Sequence, residues 1–207
     1  MTSIAVLCSG GGTNLQALID AQKRGELAGG EIKLVIASKP SAFALERAKS
    51  EGIPTAVIGK RDFADLNGFD EAVLAALRER DIQLVVLAGY LSILGPKTLA
   101  AYEHRILNVH PALIPSFCGM GFYGLRVHEA ALEYGVKVTG ATVHFVSEVV
   151  DGGEIVLQKA VDVLPGDTPE TLQKRVMKQA EWVLLPRAVA MFCRGEIGKK
   201  GNEADLR

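Results

Sequence analysis

Residues 108–115 read Asn-Val-His-Pro-Ala-Leu-Ile-Pro. Asn108 and His110 stand two apart, so on an extended segment they project to the same side. Pro111 biases His110 away from helical backbone and toward a strand end, and carboxyl ends of parallel strands are where α/β proteins bind ligands. A carboxamide donor beside an imidazole suits a carbonyl that becomes a tetrahedral oxyanion. Asn108 would stabilise the developing negative charge, and His110, as imidazolium, would donate a proton or hydrogen bond. Further on, Asp151-Gly152-Gly153 sets a carboxylate on a glycine turn, and a neighbouring carboxylate raises the pKa of a histidine. Each pattern taken alone also fits plain structure: a hydrogen-bonded strand-end histidine and an Asx turn.

A second kind of chemistry is suggested near the start. Ser9-Gly10-Gly11-Gly12-Thr13-Asn14 follows an apolar run and precedes an amphipathic stretch. Consecutive glycines let backbone approach a ligand, and a helix beginning there turns its free N–H groups and positive dipole end on the loop. A phosphate suits that place, with Thr13 and Asn14 as side-chain donors; a tight ligand-free turn fits the same residues. The Gly-Lys-Ser/Thr ending of the P-loop and the third glycine of the dinucleotide fingerprint are both missing. Residues 37–40, Ala-Ser-Lys-Pro, offer no carboxylate for a ribose diol, which favours a monophosphate over a dinucleotide. Residues 90–94, Tyr-Leu-Ser-Ile-Leu, suit either a pocket wall for a flat heteroaromatic ring or a buried loop. His144 falls inside a strand pattern, as a packed group or one behind the site. His104 and His128 read as structural or exposed. No His/Cys/Asp set has metal-ligand spacing, so no metal is expected.

The elements that must position these residues alternate in the first half. Strand-like runs at 4–8, 32–37, 55–58, 84–88 and 105–109 are separated by helical patterns at 15–23, 43–50 and 69–80. This predicts an α/β fold, a Rossmann-like, mostly parallel central sheet flanked by helices. The second half adds a hairpin-like strand pair, 136–146 and 154–163, and one long helix over 168–194, with Pro186 predicting a kink or break. Residues 199–207 are polar and expected to fray. A single domain over 1–207 follows, with a phosphate-binding half to about 100, a catalytic half over about 101–195 and a polar tail.

The chain has 207 residues, 48% hydrophobic and 23% charged, with 23 Lys+Arg against 24 Asp+Glu. A net charge of −1 argues against a nucleic-acid surface. Three dispersed cysteines, Cys8, Cys118 and Cys193, read as reduced thiols. The longest apolar stretch, 84–95, falls short of the about 20 residues a membrane span needs, and Ser3 already belongs to core, with no signal peptide before it. The expectation is a cytoplasmic protein acting on small molecules, without nucleic-acid or membrane partners, as a monomer or homodimer.

In this order and spacing, residues 9–15, Leu87-Ala88-Gly89-Tyr90, residues 107–115, and Thr142-Val143-His144-Phe145-Val146 followed by Asp151-Gly152-Gly153 resemble the phosphoribosylglycinamide (glycinamide ribonucleotide) formyltransferase family of purine biosynthesis. The resemblance runs from residue 4 to about 194. It implies the formyltransferase fold and transfer of a formyl group from 10-formyltetrahydrofolate, as co-substrate, to the amino group of glycinamide ribonucleotide. It implies that Gly12, Thr13 and Asn14 bind the substrate phosphate and that Glu181 helps hold the glycinamide. Asn108, His110 and Asp151 become the catalytic set. The folate falls against Leu91, Ser92, Ile93 and Leu94, against Ser147, Glu148, Val149 and Val150, and against Asn108. The mechanism implied is direct attack of the neutral amine, with Asp151 keeping His110 charged.

Departures from the family pattern are few. The spacing before Glu181 is one residue longer, Ser92 stands where a basic residue is frequent, and a frequent arginine aligns with Leu66 rather than Arg61, so neither takes a role. Met120 and residues 122–125 lie in a variable stretch. Methionyl-tRNA formyltransferases add an RNA-binding domain for which this length leaves no room. Formyltetrahydrofolate hydrolases lack the glycine loop, a phosphate sensor would not need the three catalytic residues together, and a dinucleotide oxidoreductase lacks its fingerprint.

Overall fold

The first apolar run becomes strand β1 (Thr2–Cys8) in the computed structural model, which describes residues 1–198; the frayed tail expected at 199–207 lies outside them. Six further strands follow: β2 (Gly30–Ala37), β3 (Thr55–Val57), β4 (Leu84–Leu87), β5 (Ile106–His110), β6 (Val138–Phe145) and β7 (Ile155–Asp162). They form one sheet in the order β3-β2-β1-β4-β5-β6-β7. The first five are parallel, whereas β6 is antiparallel to β5 and β7 to β6. The chain winds outward from β1 to β3 and then returns to β4 on the other side of β1. That reversal opens a crevice at the carboxyl ends of β1 and β4, where the glycine loop and residues 88–95 emerge.

Both faces of the sheet are covered, which explains the continuous apolar runs. Ile4, Val6 and Cys8 of β1 pack on one face with Leu15 and Leu18 of α1 (Thr13–Lys23), Ala44 and Ala48 of α2 (Ala44–Ser50), and residues of the C-terminal helices. Ala5 and Leu7 point the other way, against Phe69, Val73 and Leu77 of α3 (Leu66–Glu79). Helix α3 starts three residues before its apolar stripe because the Asp65 side chain caps it, accepting the Gly68 N–H at 2.8 Å.

Two helices go beyond the sequence pattern. Helix α4 (Pro96–Ala101) carries no side-chain cap of its own. Asp70 of α3, 1% exposed, supplies one, accepting the N–H groups of Lys97 at 2.7 Å and Thr98 at 3.1 Å. Helix α5 (Leu125–Tyr134) ends on a left-handed Gly135. The long C-terminal helix is two helices, α6 (Pro169–Val176) and α7 (Trp182–Cys193), joined by a π-helical turn over Met177–Glu181. The break expected at Pro186 is absent, since α7 runs through that residue and the change of winding comes one turn earlier. Among the described residues, no helix is long and apolar enough to cross a membrane.

Candidate active site

The carboxyl end of β5 carries Asn108 and His110, and the antiparallel register sets Asn108 directly opposite His144 of β6. Asn108 Nδ2 lies 3.0 Å from His144 Nε2, and His144 Nδ1 lies 2.9 Å from the Phe145 carbonyl. A carbonyl only accepts, so Nδ1 of His144 carries the proton and Nε2 receives the Asn108 amide. His144 thus orients Asn108.

Asp151 comes from the 146–154 loop, which folds back tightly on β6. A Cβ at Gly153 would stand 1.7 Å from the Phe145 carbonyl oxygen, so only glycine fits there. Asp151 itself has φ +54, a left-handed conformation that Asp tolerates better than most residues. Its two oxygens face different partners. Oδ1 is 3.5 Å from Asn108 Nδ2 and 3.7 Å from His144 Nε2; Oδ2 accepts the Gly119 N–H at 2.9 Å and is 3.6 Å from His110 Nδ1. The sequence-predicted set is brought together, with His144 and Gly119 added to it.

Protonation departs from expectation. Burial pushes the His110 pKa down, and this outweighs the Phe117 carbonyl and Asp151, which push it up; the net direction is below the ordinary histidine value. A neighbouring carboxylate therefore does not by itself keep His110 charged. The ring is also engaged, donating from Nε2 to the Phe117 carbonyl at 2.8 Å. For Asp151, burial raises the carboxyl pKa, but His144, the Gly119 N–H and His110 together lower it below the usual range, so it is ionised. Two cysteines are held as thiols: burial pushes Cys8 up to about 12, and burial followed by the Asp151 charge raises Cys118.

A cavity of about 670 Å³ opens above this quartet. Its lining includes Asn108, His110, His144 and Asp151, and every residue expected to meet the folate: Leu91, Ser92, Ile93, Leu94, Ser147, Glu148, Val149 and Val150. Residues 119–124, read from sequence only as a variable stretch, form another wall. Leu91 is 62%, Ile93 50% and Val149 67% exposed, so the mouth is apolar and open.

The glycine loop and Glu181 make a second polar centre. Gly12, with φ +70, ends the loop, and no side chain caps the first N–H groups of α1, which leaves them for a ligand. Asn14 Nδ2 donates to Glu181 Oε2 at 2.7 Å. One of the two Asn14 amide hydrogens is thereby committed to Glu181, and its backbone N–H remains in the helix terminus. Glu181 is 6% exposed, and burial raises its pKa to about 6 despite the Asn14 bond. Its longer spacing is absorbed by the π-turn, in which the Trp182 N–H reaches Met177 O, five residues back. Ser9 ties the two centres: its Oγ accepts the Leu91 N–H at 2.9 Å, and its N–H donates to Gly89 O at 3.1 Å.

A family profile described as formyl transferase matches residues 2–189. The chain belongs to the formyl transferase family. Among relatives in that family, phosphoribosylglycinamide formyltransferase of Haemophilus influenzae is 41% identical over 206 residues, covering 100% of this chain and 94% of its own. The trifunctional purine biosynthetic protein adenosine-3 of Gallus gallus is 44% identical over 201 residues, 96% of this chain; the chain spans only 19% of that relative's length. The solved structure of glycinamide ribonucleotide transformylase 1 from Symbiobacterium toebii superposes with a TM-score of 0.90 at 40% identity, over 97% of this chain and 92% of that one.

Proposed function

We propose that this formyl transferase moves the formyl group of 10-formyltetrahydrofolate to the amino group of glycinamide ribonucleotide, giving formylglycinamide ribonucleotide and tetrahydrofolate in purine biosynthesis. One observation carries the reading: Asn108, His110, His144 and Asp151 converge at the wall of a largely apolar cavity, while the open helix end beyond Ser9 can take a phosphate. The cavity suits a folate ring system, and the loop suits the ribonucleotide.

In this reading the neutral substrate amine attacks the formyl carbon. The new C–N bond forms as the carbonyl oxygen takes negative charge, which the Asn108 amide stabilises. His110 enters largely neutral, takes up a solvent proton at Nδ1 as negative charge develops on the oxygen beside it, and returns that proton when the intermediate collapses; Asp151, 3.6 Å from Nδ1, supports the transient imidazolium. Collapse breaks the bond to N10 of the folate. The proton leaving the attacking nitrogen passes through water and Asp151 to the departing nitrogen. Release of Nε2 from the Phe117 carbonyl frees a donor for the reacting oxygen, so movement of the 117–124 wall accompanies substrate entry. Glu181 holds the glycinamide. Both reactants are small molecules; we read the working unit as a cytoplasmic monomer or homodimer. It is also a single domain, because Glu181 of the second half is bonded to Asn14 at the glycine loop of the first.

The test is absorbance-followed loss of formyl from 10-formyltetrahydrofolate with and without glycinamide ribonucleotide. Turnover that requires the ribonucleotide, with one formylated product per folate consumed, is the expected result. Equal turnover without it would indicate hydrolysis, and no turnover in either case would overturn the reading.

A further inference from the structure

The glycine loop contains no lysine or arginine, yet a dianionic phosphate is bound most tightly where a cation stands near the N–H groups. The structure assigns that cation to Arg47 of α2, as a positioning residue for the phosphate site; the inference rests on the reading above that this loop takes the substrate phosphate.

Three observations carry it. First, α2 clamps the loop: the Ala44 N–H donates to Gly10 O at 3.1 Å, and Arg47 Nε donates to Gly11 O at 2.8 Å. With two successive carbonyls drawn toward α2, the loop is held in one conformation before any ligand arrives. Second, the guanidinium charge is not cancelled. Its other bond runs from Nη1 to the amide oxygen of Gln16 at 3.0 Å, and it stacks on Phe43, 5.1 Å from the ring centroid. Both acceptors are neutral, and Nη2 takes part in neither bond. Arg24, Arg175 and Arg194, by contrast, are paired with carboxylates. Third, space is kept over the loop. A Cβ added at Gly10 or Gly11 would meet nothing within 4 Å, and neither has a positive φ. These two glycines are thus not demanded by the fold, and the space over them is open to a ligand.

Arg47 therefore fixes Gly11 and brings a full positive charge to a helix terminus that alone offers only partial charge. The effect should fall on binding of the phosphate and not on the formyl transfer itself.

The experiment measures steady-state kinetics of R47Q and R47K with glycinamide ribonucleotide and with the phosphate-free glycinamide riboside, together with competitive inhibition by inorganic phosphate. For R47Q we expect KM for the ribonucleotide to rise roughly 10-fold or more, kcat to stay within about twofold, and inhibition by phosphate to weaken in parallel. R47K, which keeps the charge but loses the paired geometry, should fall between. The riboside should show no difference among the three proteins. An unchanged ribonucleotide KM in R47Q, or an equal rise for both acceptors, would overturn the assignment. If R47Q does not fold, a wild-type ribonucleotide KM in R47K would overturn it. A wild-type enzyme that treats ribonucleotide and riboside alike would instead remove the phosphate reading of the loop.

Discussion

Asn14 and Glu181 are joined by a buried 2.7 Å hydrogen bond at the point where α1 begins. Asn14 Oδ1 is also buried and has no partner among the described residues. A carboxyl at about 6 beside an orphaned amide oxygen makes a pair that is complete only with a further donor, such as the amine of the glycinamide. Glu181→Gln keeps the shape and removes the charge. We expect it to raise KM for glycinamide ribonucleotide while leaving KM for the folate near that of the wild type, in initial-rate assays at pH 7.5. Because the carboxylate is held against its own burial, the variant should also be more stable at that pH, by about 2 kcal/mol. A loss of stability in urea titration would show that the ionised form is instead well compensated.

Removal of the oxyanion donor is a separate test. Asn108→Ala should lower kcat by about 10²–10³-fold with little change in either KM. Asp151→Asn preserves the side-chain shape but withdraws the charge facing His110 Nδ1, and a kcat loss of at least about 10²-fold is expected from it. Near-normal kcat in both variants would remove the catalytic assignment.

The parts of the molecule that depend on neighbours in sequence were readable in advance. An apolar run, a glycine loop and an amphipathic stretch stand consecutively, and β1, the loop and α1 follow in that order. Asn108 and His110 share a short strand, so their common side was legible as well. What escaped depends on residues far apart. The cap of α4 is Asp70 on another helix. The role of His144 rests on its cross-strand register with Asn108. The charge state of His110 turns on burial, which outweighs the acidic neighbour that the sequence does reveal. The π-turn at Met177–Glu181 had no signal in the sequence pattern, and of the two readings open for His128, structural or exposed, burial selects the first.

The glycine loop separates folding from binding at two adjacent positions. Gly12 has φ +70, and a Cβ there would meet Ala44 Cα at 2.8 Å. Gly12→Ala should therefore lower Tm and force α2 away from the loop. Gly10 has neither constraint, so Gly10→Ala should leave Tm nearly unchanged and still raise KM for the ribonucleotide by filling ligand space. Thermal melts beside kinetics of both variants decide this; a wild-type KM in folded Gly10→Ala would show that nothing binds over that residue.

His128 gives the clearest dependence of stability on pH. Both ring nitrogens are buried without a hydrogen-bond partner among the described residues. Burial, and after it the charge of nearby His110, lowers its pKa to about 4. The folded protein therefore keeps His128 neutral where the unfolded chain, with a pKa near 6.5, already takes up a proton. Its contribution is intact above about pH 6.5 and is lost progressively as pH falls toward 4, by about 3 kcal/mol in total. Glu181 acts in the opposite sense: its carboxyl is raised to about 6, so the protein gains from it as pH falls from about 6 to the unfolded value near 4.5. The two partly offset one another in the wild type, which hides both. His128→Leu removes only the first. Urea unfolding of the variant and wild type at several pH values between 4 and 7 should show the variant gaining on the wild type by about 3 kcal/mol as pH is lowered. A difference that stays flat across that range would mean His128 is protonated in the folded state, and that it finds a buried partner, such as a water, that the protein atoms alone do not supply.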